Sequence, residues 1–163
     1  LQREISVLRD DIRLIITETH HAIERKISLL KQFIKLEHDL NNSLKIDFDN
    51  EPADILHHID YIISEINIQD YIISGLNDRF RGKTGKHLSA SELQNYVDCE
   101  GMIKALSVLR IDEKRLISDI SDLRRINVDI MKNLKEDILK DANELRSIRH
   151  IEINLSKDPQ SDS

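Results

Sequence analysis

The stretch Leu116-Ile117-Ser118-Asp119-Ile120-Ser121-Asp122-Leu123-Arg124-Arg125-Ile126-Asn127-Val128-Asp129-Ile130-Met131-Lys132-Asn133-Leu134 decides the fold. Leu116, Ile120, Leu123, Asn127, Ile130 and Leu134 step by threes and fours, with charges between them. This is the repeat of about 3.5 residues by which a helix lies along a partner helix. The seam reaches upstream through Leu109, Leu106 and Ile103, and downstream through Ile138, Leu145 and Ile148 toward Leu155. Asn127 is read as its single polar interruption. A seam this long outruns what the rest of the chain offers to cover it. Part of it is therefore expected to meet a second copy or another protein.

Working outward, the 163 residues allow one domain or one long helical assembly. A third of them are charged, there is no Trp, and four Gly and two Pro leave few turns. A few long helices fit this composition better than many short elements. The net charge of −6 opposes nucleic-acid binding, which needs a concentrated basic face. No apolar run approaches the roughly 18–20 residues of a membrane span, so no membrane insertion is expected. No secretory pattern opens the sequence, although it begins at Leu1 rather than Met and a leader upstream stays open. The single Cys99 excludes an internal disulfide and fits a reducing cytoplasm.

The expected fold is all-α: a long antiparallel three-helix bundle or coiled coil, up-down-up, forming one domain over residues 1–155. The first helix spans about 1–44, with a phase slip in its apolar stripe near Lys26. A turn around Asp49-Asn50-Glu51-Pro52 caps the second, which spans about 52–80 on the face of Ile55, Leu56, Ile59, Ile62, Ile63, Ile66, Ile72, Ile73, Leu76 and Phe80, joined by Tyr61 and Tyr71. Residues 81–88, with two glycines and three cations, read as the one loop. Ser89-Ala90-Ser91-Glu92 is a capping box that opens the third helix, about 91–155, in which Gly101 is a kink or break. That helix is roughly 90 Å long at 1.5 Å per residue, which the first two cover only in part. Residues 156–163 read as a disordered polar tail.

Candidate chemistry is thin. Gly82-Lys83-Thr84 lacks the earlier glycine and the leading strand of a phosphate loop, so it reads as a basic turn. Glu18 with His21, and Asp54 with His57, have metal-site spacing, but no fourth helix or inward carboxylate completes a di-metal centre. The sequence after His57 and His58 departs from that of phosphotransfer histidines. Cys99 sits between Asp98 and Glu100, which disfavour its thiolate. The expectation is therefore no enzyme, no metal and no cofactor. Asn127 is a candidate register-setting residue at the seam; the alternative phase turns Ile126 inward and leaves Asn127 at the edge.

The second helix carries, in order, Asp54-Ile55, His57, Ile62-Ile63-Ser64-Glu65-Ile66, Gln69, Ile72 and Leu76. The third carries Asp119-Ile120-Ser121-Asp122-Leu123, Asn127, Met131, Asn133-Leu134 and Glu144-Leu145-Arg146-Ser147-Ile148. In these runs lies a resemblance: their order resembles the FlgN family of flagellar export chaperones, in particular its spirochaete-type members. It extends over about residues 1–153, while Gly101 and the basic glycine loop depart from it. The resemblance implies a cytoplasmic chaperone that binds helical C-terminal segments of hook–filament junction proteins and delivers them to the export apparatus. Ile138, Leu145, Ile148, Ile151 and Leu155 are then the expected partner contacts. The competing class is a dimeric coiled-coil scaffold or tether without catalytic activity; the chaperone reading allows at most a weak homodimer.

Overall fold

The computed structural model describes residues 1–46, 51–96 and 100–155, with residues 154 and 155 described in their backbone alone. The tail 156–163, Cys99 and part of the expected turn before the second helix lie outside the described residues. All regular structure among the described residues is α-helical: α1 (Gln2–Ile46), α2 (Glu51–Thr84), α3 (Ala90–Leu93) and α4 (Glu100–Leu155). The chain divides into two units, Leu1–Arg124 and Arg125–Ser163.

Among the described residues four helices stand where three were expected. The Ser89 side chain accepts from the Glu92 backbone N–H, as the capping box requires, but the helix it opens closes after one turn at Leu93. Leu93 is fully buried and Tyr96 sets its ring edge-on to Phe80 at 5.9 Å, so this segment plugs the end of the core. The long helix restarts at Glu100, which places Gly101 in its first turn, where it interrupts nothing. The expected loop is also shorter than read. α2 continues through Arg81, Gly82 and Lys83 to Thr84, and Gly85, at φ 73°, donates its N–H to the Arg81 carbonyl at 2.7 Å. A left-handed glycine cap of this kind ends a helix without the Cβ clash of other residues, and Arg81 and Lys83 suit the negative end of its dipole.

In the unit Leu1–Arg124 the core is built from one stripe of each long helix. α1 contributes Ile12, Ile15, Ile16, Ile23, Leu30, Phe33 and Leu40; α2 contributes Ile59, Ile62, Ile66, Ile73, Leu76 and Phe80; α4 contributes Ile103, Leu106, Leu116 and Ile120. Each fully buried Ile, Leu or Phe stabilises by roughly 1.5–3 kcal/mol before chain entropy is counted. Leu1 and Ile5 at the start of the expected stripe are exposed, as are Leu56, Tyr61, Tyr71 and Ile72 of the expected α2 face. The four of α2 lie outside the narrower arc that the neighbouring helices cover, whereas Leu1 and Ile5 share the arc of Ile12 but precede Asp11, whose partner Lys83 stands one residue before the end of α2.

Ion pairs fix how the helices run. Lys83 with Asp11 (2.5 Å), Arg79 with Glu18 (2.7 Å) and Asp70 with Lys26 (2.5 Å) pair descending numbers of α2 with ascending numbers of α1, so these helices are antiparallel. Glu113 with Lys26 (2.7 Å) and Arg124 with Glu37 (3.8 Å) ascend together on α4 and α1. The Arg124 guanidinium also lies 5.7 Å from the Phe33 ring centroid.

Lys26 is the centre of a buried charge cluster. Its ammonium donates to Asp70 of α2 and Glu113 of α4, and Glu113 accepts a further bond from Arg110 at 2.8 Å. Burial disfavours the charge on Lys26, but its hydrogen bonds to Asp70 and Glu113 outweigh that and hold its pKa above the ordinary lysine value. Burial likewise opposes the Glu113 carboxylate, yet Lys26 and Arg110 keep its pKa below the ordinary range.

Glu113 contributes stability above the unfolded glutamate pKa, and that contribution is lost as pH falls through its lowered folded pKa. The Lys26 contribution is complete below the unfolded lysine pKa and is lost as pH rises through its raised one. Both are fully present between about pH 4.5 and about pH 10.5. Lys26→Met should cost about 3–5 kcal/mol in urea unfolding at pH 7, because it leaves Glu113 buried without its main partner. Adding Glu113→Leu should recover most of that loss and reduce the stability lost on moving to pH 3. A double variant no more stable than Lys26→Met would show that the charge pair is not the origin. Gln69 offers an independent test, since its buried side-chain carbonyl accepts no hydrogen bond. Gln69→Met should raise stability by about 1 kcal/mol in the same assay.

Candidate functional site

The unit from Arg125 onward holds the expected partner contacts, all on α4. The sequence left two phases open at its start, and the side chains decide between them: Asn127 is 0% exposed and Ile126 is 47% exposed. Of the two, Asn127 is therefore the side chain withdrawn from solvent.

Beyond Leu134 the helix changes character. Ile138 is 53% exposed, Leu145 67%, Ile148 53% and Ile151 60%. The side chain of Leu155, the fifth expected contact, lies outside the described residues. From Lys135 to Ile153 every residue except Ala142 is exposed. Apolar side chains kept in water over this length depart from the usual pattern, in which an amphipathic helix buries such a stripe.

The exposed stripe is narrower than the five contacts suggest. At 3.6 residues per turn, Leu134, Ile138, Ala142 and Leu145 fall within an arc of about 80°. Ile148 lies about 75° from its centre and Ile151 about 135°. Ile138 and Leu145 thus share the strip, Ile148 edges it, and Ile151 points away. A strict heptad continued past Leu134 would put Asp137, Asp141 and Glu144 in the seam. The apolar residues instead step by four, from Leu134 to Ile138 to Ala142, a stutter that locally unwinds a left-handed supercoil. A furrow lined by Leu139, Asn143 and Ser147 lies on the far side of the same helix. Every residue lining it comes from α4, so it is open surface and encloses no ligand.

The residues examined for chemistry do not converge. Glu18 pairs with Arg79, and His21, His57 and His58 are exposed. His20 lies 3.4 Å from Glu24, one turn away on its own helix. No group of three His, Cys, Asp or Glu able to hold a metal occurs among the described residues. Lys83 and Thr84 stand in helix and bond to Asp11 and to the Phe80 carbonyl.

The sequence reading does not show the buried Lys26–Glu113 pair. The seam as read jumps seven residues from Leu109 to Leu116, and Glu113 fills the missing step, a buried carboxylate inside the stripe. The seam therefore has two buried polar positions, Glu113 and Asn127. The signal was the phase slip at Lys26, which turns out to be the residue that meets Glu113. Compared with protein-family models, curated proteins and solved structures, the chain matches none.

Because the strip is solvated, Ile138→Asp with Leu145→Asp should leave the thermal unfolding midpoint nearly unchanged, each change costing within about 0.5 kcal/mol. Ile120→Ala, in the buried part of α4, should cost about 2–5 kcal/mol. Circular dichroism melts of the two variants separate the cases. A large loss from the aspartates would mean that the strip is already covered.

Proposed function

We propose that this protein is a FlgN-type export chaperone of the cytoplasm that acts by binding and not by catalysis. In this reading the helices form a long up-down-up bundle, and the α4 strip holds the amphipathic C-terminal helix of an exported hook–filament junction protein. The antiparallel ion pairs of α1 with α2, and the ascending pairs of α1 with α4, support that topology. The absence, among the described residues, of a helix long and apolar enough to cross a membrane agrees with it. The observation that carries the binding role is the solvated Ile138–Leu145 strip on a helix that elsewhere buries the same kind of side chain.

The mechanism is physical. A partner helix laid on the strip hides its own apolar face, which would otherwise aggregate or polymerise early, until the export apparatus receives it. Ile138 and Leu145 bear on the centre of the partner and Ile148 on its edge. The strip is short and holds few apolar side chains, so binding is reversible, as delivery requires.

Truncation after Asn133 should abolish capture of the C-terminal segment of a hook–filament junction protein in a pull-down, while circular dichroism still reports a helical protein. Undiminished capture by the truncated chain would sink the assignment. Ile138→Asp with Leu145→Asp should reproduce the loss in the full-length chain.

A further inference from the structure

The charges beside the exposed strip are sorted by sign. Setting α4 side chains at 3.6 residues per turn, Lys132, Lys135 and Arg146 project about 65–125° to one side of the Leu134–Leu145 strip. Asp137, Asp141 and Glu144 project about 55–115° to the other. None of these six makes an ion pair among the described residues, whereas charges elsewhere on α1, α2 and α4 do. They are solvated charges around an apolar line, with no partner on their own helix.

We infer that this segment pairs with the same segment of a second copy, the two helices running parallel. The sorting of charge selects that arrangement. When two copies are related by an axis along the helices, each strip faces its equivalent and the acidic flank of one copy meets the basic flank of the other on both sides. When they run antiparallel, acid faces acid and base faces base. Flanking charges of this kind set partner and orientation in paired helices, and like charges brought together are penalised. The chain is thus its own complement in one orientation alone. The apolar line is short, with only Ile138, Leu145 and the smaller Ala142 beyond Leu134, so the pair is weak and concentration-dependent. This pairing stands independently of the chaperone reading. Where both hold, a second copy and an exported helix compete for one strip.

The test is sedimentation velocity of the full chain over a concentration series at low salt, where exposed charges are least screened. Three chains are compared: the natural one, one carrying Asp137→Lys, Asp141→Lys and Glu144→Lys, and one carrying Lys132→Glu, Lys135→Glu and Arg146→Glu. The natural chain should shift from one copy to two as concentration rises. Each variant has like charge on both flanks and should stay monomeric, and their equal mixture should form a dimer at least about tenfold tighter than either alone. Circular dichroism confirms that the exposed substitutions leave the helices intact. Orientation is read by oxidation in a Cys99→Ser background. Leu134→Cys and Leu145→Cys should each cross-link with itself, whereas an antiparallel pair would cross-link one with the other. A natural chain that is monomeric throughout, a mixture that fails to pair, or the mixed cross-link would each overturn the inference. Loss of client capture with self-pairing intact would refute the chaperone reading alone.

Discussion

One ammonium group ties the three long helices of the unit Leu1–Arg124 to a single register. Lys26 reaches Asp70 on α2 and Glu113 on α4 at once, in a core made mostly of Ile, Leu and Phe. Apolar contacts are poor at choosing between neighbouring registers, because one isoleucine fits nearly as well against the next turn. A buried charge is different. Sliding α1 against α4 by a turn would part Lys26 from Glu113, both buried, which costs several kcal/mol; Asp70, half exposed, adds a weaker constraint from α2. The isoleucines supply the attraction and Lys26 supplies the address. The other pairs, Asp11 with Lys83 and Glu18 with Arg79, agree with that register but stay partly solvated, where each contributes little.

The same cluster marks where sequence reading reaches its limit. The helices were legible because apolar residues recur at threes and fours and turn residues are scarce. Their ends were less so. The basic stretch after Phe80 resembles a loop in composition, but only Gly85 adopts the backbone angle that stops a helix, and composition does not say which of two glycines will do so. The capping box at Ser89 was legible as a helix start; the burial of Leu93 that limits α3 to one turn is a tertiary contact with no local signature. Lys26 stands at a phase slip in one stripe, and Glu113 falls in a gap of another that the spacing alone does not mark. They become one feature only when α1 and α4 are placed side by side.

Asn127 shows the same ambiguity on a smaller scale. Ile126 and Asn127 are adjacent, one favoured inward by hydropathy and the other by the spacing from Leu123 and Ile130. Spacing prevails, because turning Ile126 inward would swing the neighbouring seam residues by about 100°. The expected contacts past Ile138 mix two kinds of information. Ile138 and Leu145 share an arc, whereas Ile151 is apolar and near in sequence but about 135° from the centre of that arc. The change from a heptad step to a step of four after Leu134 is visible in the sequence once angles are used in place of counts.

That change of step bears on what the strip can accept. A seam with Asp137, Asp141 and Glu144 at its strict heptad positions cannot join a long left-handed coiled coil without burying carboxylates, which is prohibitive without counter-ions. The unwound phase moves those acids to one flank and lets Ile138, Ala142 and Leu145 form the line instead. The acids then discriminate without entering the core. For the helix partner proposed above, the geometry would call for basic residues on that side and acidic residues on the other, in a nearly straight crossing over about three turns. Affinity would then rest on a few apolar contacts and selectivity on charge placement. A surface of this kind would hold a helix loosely and still disfavour one that arrives in the wrong direction.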